Sequence, residues 1–569
     1  MLLAAMAAAF ALPAPAQDNA DADYVAFAQH YFQRGFERDP INATPTGVHI
    51  YDRIMDDYSA AAYARYNAED HASLQTLLAI EQQNLSPRTL VDAKSLELQI
   101  RDNLLQNETM ALWRHRPDNY VGNASYAIFP LINRDFAPLT MRMRDVIARE
   151  NAIPRLFAQA RANLTTLDAT STQIGRDDAL GLASFLSKDV PKAFLGVRET
   201  QLQHDFRAST RRSAAAAAAF AAWLTPKIAH PTGTYAIGAG NYVSMLRYED
   251  GIDLSLAEYL AVGERALAVN HASIVAVAHQ IDPKKTVPQV IAEVAKQHPS
   301  GAQLVAASQR DLTRLRRFIA AHDIIVLPPE ANITVRETPP FERSTVVAAE
   351  DSPGPFETVA ISGYYFVTPP DPHDPPAIQE AYLETFNDFE RPIVGAHEVY
   401  PGHFTNFMLD RHLPLTLTEK LVSSSSTVEG WAHYCEQMMV DEGWGNGDPR
   451  VRLMQLREAL LRNVRYVVGV KLHTQGMTVA QAIREFEVEG FQDPADARAE
   501  AKRGTQDPIY GYYTLGKMEI LKLRSDYKKK MGSQYTLAGF HAALLKYGDF
   551  PISLIRPLIL GDADDGKVL

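Results

Sequence analysis

The sequence contains a single cysteine, Cys435, among its 569 residues, which excludes an internal disulfide and a cysteine-rich metal site. No run of 18 apolar residues occurs within the body of the chain, so we expect no membrane-spanning helix. Basic residues are in the minority, since 56 Lys and Arg stand against 68 Asp and Glu. The net charge of −12, without a local basic patch, argues against a nucleic-acid partner.

What is present is the composition of an ordinary folded protein. Hydrophobic residues make up 46% of the chain and charged residues 22%, which excludes disorder on a large scale. The length is about two to four times that of a typical domain, enough to bury a large core. No Gly/Ser-rich linker divides the sequence, so we expect one large unit.

The first sixteen residues form a separate segment. They are apolar and rich in alanine, and they end in Ala14, Pro15 and Ala16, the pattern of a signal-peptide cleavage site. A basic residue near the start is missing, yet the segment still predicts a signal peptide at residues 1–16. We expect export to a periplasmic or extracellular space, and no lipid anchor, because no cysteine directly follows the apolar run.

The remaining pattern predicts a mainly α fold. Apolar residues recur at helical spacing through residues 17–322, as at Leu74, Leu77 and Leu78. Four β-branched and aromatic segments within residues 323–370, beginning with DIIVLP, predict a small β-sheet. The helical pattern then returns, so we expect a helical part at 17–322 and a part with a small sheet and the catalytic helices at 323–569.

The most informative motif is GAHEVYPGHF, which begins at residue 395. A His-Glu pair followed by a second histidine is typical of zinc peptidases, where the histidines stand four residues apart on one helix face. Here His403 comes six residues after His397, a rotation of about 240° around a regular helix axis, which points the two side chains apart.

The two residues between these histidines that can break a helix are Pro401 and Gly402. Pro401 lacks the N–H that would bond to the carbonyl of His397, and Gly402 can adopt backbone angles closed to other residues. Together they can bend the chain and return His403 towards His397. The alternative is a helix end that carries two unrelated histidines.

A catalytic zinc ion usually has three protein ligands. The segment TVEGWAHYCE places Glu429 near the start of a predicted helix, 26 residues after His403. This segment is similar to that of the aminopeptidase-N-type gluzincins, whose third zinc ligand is the corresponding glutamate. Glu436, two turns further on the same face, suits a hydrogen-bond acceptor for a ligand histidine, and His433 is a rival ligand. For Glu436 and His433 the alternative is polarity on a helix surface.

HEVYPGHF followed by VEGWAHYCE resembles the bacterial family called domain of unknown function 885, whose members carry H-E-x-x-P-G-H and E-G-W-A in this order. The family is grouped with the gluzincin-type metallopeptidases and is largely helical. Residues 45–52, 462–473 and 507–517 are similar to further segments of the family, so the resemblance covers most of the mature chain. The chain departs from the family pattern at Phe404 and Gly469.

The resemblance implies one Zn²⁺ ion held by His397, His403 and Glu429. Glu398 would then act as the general base that takes a proton from water. Tyr513 and His473, which match family positions, are candidates for the donor to the carbonyl oxygen, with Tyr510 and Tyr512 as local competitors to Tyr513. The alternative for Tyr513 is a core tyrosine.

Two further sites are predicted for the substrate. Arg465 suits bidentate binding of a carboxylate, although a salt bridge within the helical core is the alternative. In gluzincins an edge strand pairs with the extended peptide, and we expect the strand within residues 358–370, with Gly363 and Tyr364, to do so. Ordinary sheet packing is the alternative.

These expectations favour an exported zinc peptidase that acts on short peptides. The alternatives are a zinc amidohydrolase that acts on a non-peptide amide or ester, and a non-catalytic peptide-binding relative. The intact Glu398 argues against the last, because a protein without activity has no need of the base. The sequence predicts a peptide or small amide as partner and leaves the oligomeric state open.

Overall fold

A computed structural model describes residues 16–329, 331–338 and 347–569 of the chain. Residues 1–15 of the predicted signal peptide lie outside the described residues. Ala16, its last residue, begins the first helix.

The part before the sheet consists of helices joined by short connections. Their starts follow local sequence signals, as where the Ser86 side chain accepts a hydrogen bond from the Thr89 N–H and Pro87 takes the first helical position. In chain order the helices are α1 Ala16–Arg38, α2 Pro40–Thr46, α3 Ala60–Ala79, α4 Pro87–Leu104, α5 Pro117–Tyr126, α6 Phe129–Asn133, α7 Leu139–Asn163, α8 Ala169–Ser184, α9 Val190–Ala193, α10 Thr200–Ile228, α11 Ala239–Asp250, α12 Leu256–Ile281, α13 Val287–Ala295 and α14 Leu304–Ala321.

The predicted small sheet is present and has three strands in the described part of the chain. They are β1 Ile333–Glu337, β2 Ala348–Asp351 and β3 Gly363–Val367. Their spatial order is β1-β3-β2, with β3 parallel to β1 and antiparallel to β2. The predicted strand at residues 323–328 is absent, so that prediction is wrong. There the carbonyl of Ile324 accepts a hydrogen bond from His541 Nδ1 instead of a neighbouring strand.

The chain after the sheet is helical to near its end, which confirms the mainly α fold. The motif GAHEVYPGHF spans the end of one helix and the start of the next. The helices are α15 Pro376–Thr385, α16 Arg391–Glu398, α17 His403–His412, α18 Leu417–Leu421, α19 Ser425–Asp441, α20 Pro449–Thr474, α21 Val479–Val488, α22 Pro494–Gln506, α23 Tyr512–Met531, α24 Leu537–Leu545 and α25 Ile552–Leu560.

One large hydrophobic core joins both predicted parts of the chain. It contains Tyr24 and Leu96 from the first helices together with Leu312, Trp431 and Phe540. The sheet packs on α14, α16 and α17. The helix pair α16 and α17 is therefore held between the sheet and the later helices.

Helix α12 is long and apolar enough to cross a membrane by length and composition. It packs along α20, where the ring of Tyr259 stacks on Tyr466 with centroids 4.3 Å apart. At Gly263 a Cβ atom would lie 2.1 Å from the Tyr466 ring, so the glycine permits this close packing. These contacts place one face of α12 against the protein.

Candidate metal centre

The two histidines of the motif lie on different helices. His397 is in the last turn of α16, which ends at Glu398, and His403 is the first residue of α17. Gly402 lies so close to α16 that a Cβ atom there would be 1.7 Å from the carbonyl oxygen of His397. Because its φ is −70°, the glycine is needed for this close approach and not for a left-handed backbone.

Glu429 reaches the histidines because α19 and α23 cross at two glycines. A Cβ atom at Gly430 would lie 2.5 Å from the backbone of Gly516, and one at Gly516 would lie 1.6 Å from the carbonyl oxygen of Ser426. Only hydrogen atoms fit at this crossing. The contact fixes Glu429, the residue before Gly430, and Tyr513, one turn before Gly516.

His397, His403 and Glu429 form a three-residue cluster, with one possible ligand atom from each lying within 4.8 Å of the others. Glu429 Oε2 is 3.4 Å from His397 Nε2 and 3.3 Å from His403 Nε2. Ligands bound to zinc at tetrahedral angles are about 3.3–3.5 Å apart. Glu429 Oε2 is buried without a hydrogen-bond partner in the described part of the chain, so the donor set fits a metal ion.

Glu436 supports the cluster from behind. Its Oε1 accepts the Nδ1–H of His397 at 2.7 Å, and its Oε2 accepts the Nδ1–H of His433 at 3.0 Å. This hydrogen bond leaves the Nε2 lone pair of His397 for a metal ion. Glu436 and His433 are at most 1% exposed, so the alternative of helix-surface polarity is wrong for both. His433 itself bonds to Glu436 and is not part of the cluster.

The electrostatics of the cluster favour positive charge. Burial lowers the pKa of His397, but the neighbouring carboxylates of Glu429 and Glu436 outweigh burial and raise the pKa to about 10. Burial raises the pKa of Glu429, yet His403 and His397 hold it well below its usual range. Burial likewise raises the pKa of Glu436, but Arg462, His433 and His397 lower it well below its usual range. Both carboxylates are therefore ionised beside the imidazoles.

Glu398, the candidate general base, lies beside the sheet. Its Oε2 accepts a hydrogen bond from the backbone N–H of Glu350 in β2 at 3.2 Å. No sequence pattern distinguishes Glu350, because only tertiary packing brings β2 to α16. The pKa of the Glu350 carboxyl is raised to about 7, mainly by burial.

Tyr513 lies next to the cluster, with its ring centroid 6.3 Å from that of His397. Its hydroxyl accepts a hydrogen bond from Arg503 Nη2 at 3.2 Å. Of the two competing tyrosines, Tyr510 is fully buried, and the Tyr512 hydroxyl donates to the Asp507 carboxylate at 2.8 Å. Of the three tyrosines, Tyr513 is the one whose ring contacts a cluster histidine.

The structure does not bring His473 to the cluster. On α20, Arg462 is a residue that reaches Glu436. His473 comes eleven residues after Arg462 on the same helix, a separation of about 16 Å along the helix axis. Its Nε2–H donates to the carbonyl of Gly504 at 2.7 Å. The predicted catalytic role of His473 is therefore corrected to a structural one.

Arg465 is engaged by a partner that the sequence did not suggest. Its Nε and Nη2 donate to the two carboxylate oxygens of Glu500 at 2.7 and 2.8 Å. The Arg465 side chain is 8% exposed, and its bidentate donors are occupied. The structure therefore favours the salt bridge over the predicted substrate site.

The prediction that Gly363 and Tyr364 lie on an edge strand is wrong. They belong to β3, which has hydrogen-bonded neighbours on both sides. Gly363 faces the ring of Phe404, which a Cβ atom would approach to 2.2 Å, and Tyr364 packs beneath the guanidinium of Arg336 at 4.0 Å. In the described part of the sheet the edge strand nearest the cluster is β2, and its backbone bonds to Glu398.

Comparisons with solved structures find the same fold in two bacterial proteins described as putative lipoproteins. The first, of unknown function and from Shewanella oneidensis, is 25% identical, with a TM-score of 0.79 over 94% of this chain and 99% of that one. The second, from Colwellia psychrerythraea, is 18% identical, with a TM-score of 0.81 over 97% of this chain and 100% of that one. No curated protein matches the sequence.

The sequence profile of a bacterial protein family of unknown function matches residues 40–559. The match includes both histidines, Glu429, and the segment around Tyr513. The chain therefore belongs to this family, DUF885.

Proposed function

We propose that this protein is an exported zinc-dependent hydrolase that cleaves short peptides. The observation that carries the proposal is the placement of Glu429 Oε2 at 3.3–3.4 Å from the Nε2 atoms of His397 and His403. A catalytic zinc site typically has three protein ligands, such as two imidazoles and one carboxylate, and a fourth position open to water or substrate. The Glu429 side chain is 25% exposed, which leaves room for substrate.

His397, His403 and Glu429 would hold the ion. Zinc at such a site lowers the pKa of water and polarises an amide carbonyl. Glu398, next to His397, takes a proton from the attacking water and passes it to the amine nitrogen as the C–N bond breaks. The products are a carboxylate and an amine.

The remaining roles fall to Tyr513 and β2. Tyr513, whose ring lies 6.3 Å from that of His397, would donate a hydrogen bond to the carbonyl oxygen as negative charge develops there. The outer edge of β2, where Glu350 donates its N–H to Glu398, would pair with an extended peptide. A peptide on this edge would lie beside the base.

Export is supported by the apolar segment ahead of Ala16 and by the lipoprotein descriptions of the two structural neighbours. Fractionation of cells that express the full chain tests this part. We expect the protein outside the cytoplasm and shortened at its N-terminus. Full-length protein confined to the cytoplasm would contradict export.

Metal analysis of the purified chain tests the site, and peptide hydrolysis tests the activity. We expect one zinc ion per chain in the wild type and none in His397→Ala. Glu398→Gln should keep zinc and lose hydrolysis. A zinc-loaded wild type that cleaves no peptide would contradict the peptidase proposal, and cleavage of non-peptide amides alone would favour an amidohydrolase.

A further inference from the structure

Three guanidinium groups surround Tyr513, the tyrosine beside His397. The Cζ atoms of Arg462, Arg465 and Arg503 lie 5.6, 5.0 and 5.8 Å from the ring centroid of Tyr513. A positive cluster this close to a hydrolytic site attracts an anionic group of a substrate. Whether an arginine can bind such a group depends on which of its donors are already used.

Arg462 and Arg465 are used within the protein. Arg465 holds Glu500 through two hydrogen bonds, as described above. Arg462 pairs with Glu458 and reaches Glu436 at 3.3 Å. Both arginine side chains are at most 10% exposed, so neither offers a free face to a ligand.

Arg503, on α22, differs from both. Its side chain is 37% exposed, and its Nη2 donates to the hydroxyls of Tyr512 and Tyr513 at 3.2 Å each. Asp507 is 3.5 Å away, longer than a strong charge-assisted hydrogen bond. Within the described residues, its Nε and Nη1 make no hydrogen bond. The two tyrosine hydroxyls therefore position the Arg503 guanidinium, while its Nε and Nη1 donors are available to a ligand.

We propose that Arg503 binds the free α-carboxylate of the peptide substrate. This inference rests on the proposed peptidase function and adds its substrate class, namely short peptides with an unblocked C-terminus. The ring of Tyr513 lies 5.8 Å from the Arg503 guanidinium and 6.3 Å from the His397 ring, so a carboxylate bound to Arg503 would lie near the bond to be cleaved. A guanidinium matches a carboxylate in charge and in planar geometry.

Peptide binding to Glu398→Gln, which cannot turn the peptide over, provides the test. Trialanine and its C-terminal amide are titrated calorimetrically, with zinc and without it. We expect amidation to weaken binding about 10- to 100-fold, the effect of losing a charged hydrogen bond. With Arg503→Gln added, both peptides should bind equally weakly, and Arg503→Lys should restore part of the preference. Arg498→Gln, an exposed position on the same helix, serves as control and should keep it.

Each other outcome overturns a defined part of the proposal. The carboxylate site is overturned if Glu398→Gln binds both peptides equally. It is also overturned if a folded variant with Arg503→Gln still prefers the free carboxylate to the amide. Either result leaves the peptidase function standing. If an amidated tripeptide ending in glutamate binds as tightly as trialanine, the site recognises an acidic side chain instead. Failure of every peptide to bind, with zinc present, overturns the peptidase function itself.

Discussion

At the scale of single residues, Gly402 determines whether the two histidines meet. Ala in its place would bring Cβ within 1.7 Å of the carbonyl oxygen of His397, and backbone cannot yield as a flexible side chain does. We expect Gly402→Ala to displace His403 and to weaken zinc binding at least about tenfold. Competition with a chromophoric chelator measures the change in affinity.

Gly122→Ala is the matched control, because a Cβ atom at Gly122 would have nothing within 4 Å. This exposed position in α5 should keep zinc affinity and gain slightly in helix stability. Unchanged zinc affinity in Gly402→Ala would show that the close contact does not set the position of His403.

The sequence revealed the residues of the site better than their partners. The spacing of His397 and His403, read with Pro401 and Gly402, pointed to a broken helix, and the structure shows two helices joined at that point. The pairing of Arg465 with Glu500 joins positions 35 residues apart on different helices. No local pattern encodes such a pair, so the open donors of Arg503 could not be recognised either.

At the scale of elements, the crossing of α19 and α23 holds Glu429 and Tyr513 in one place. Gly516→Ala would push a Cβ atom against the carbonyl oxygen of Ser426, at 1.6 Å in the present packing. We expect a loss of about 1–3 kcal/mol of stability, typical of overpacking, and a larger proportional loss of activity. Chemical denaturation and peptide hydrolysis measure the two effects. If Gly516→Ala lowers activity only in proportion to its loss of folded protein, the crossing has no separate role in positioning Glu429 and Tyr513.

Helices were predictable from periodicity, whereas the neighbours of a strand were not. The alanine run at residues 214–219, a strong helix-forming sequence, lies within the packed helix α10, where Ala217 and Phe220 are buried. The position of β3 between β1 and β2 depends on pairing across 30 residues, Ile333 with Gly363. A strand's own sequence says that it is buried, but it does not say which strand lies at the edge.

At the scale of the whole molecule, buried carboxyls make stability depend on pH. Glu150 in α7 is fully buried and accepts hydrogen bonds from Ser209 and Thr210 of α10. Burial, only partly offset by these hydroxyls, raises its pKa from 4.5 to about 7. The contribution of Glu150 to the free energy of unfolding is therefore fully present below pH 4.5 and is lost as the pH rises to about 7. A rise of about 2.5 pKa units corresponds to at most about 3.4 kcal/mol of stability.

Glu150→Gln removes this titration. We expect the variant to unfold at higher denaturant concentration than the wild type at pH 8, and to lose that advantage at pH 4.5. Urea unfolding at several pH values measures the difference. Glu264→Gln, an exposed position, should leave the pH profile unchanged. A Glu150→Gln profile parallel to that of the wild type would contradict the raised pKa.

The proposed ion would link three helices that also share the large hydrophobic core. His397 and His403 come from α16 and α17, Glu429 comes from α19, and neighbouring side chains of all three helices belong to the same hydrophobic core. An ion that binds only the folded state stabilises it by about 4 kcal/mol at a concentration a thousandfold above its dissociation constant. We therefore expect zinc to raise the unfolding temperature of the wild type in calorimetry and a chelator to lower it. His397→Ala should show neither shift, whereas alanine at the exposed His373 should leave both intact. An equal zinc effect in His397→Ala would place the ion elsewhere in the molecule.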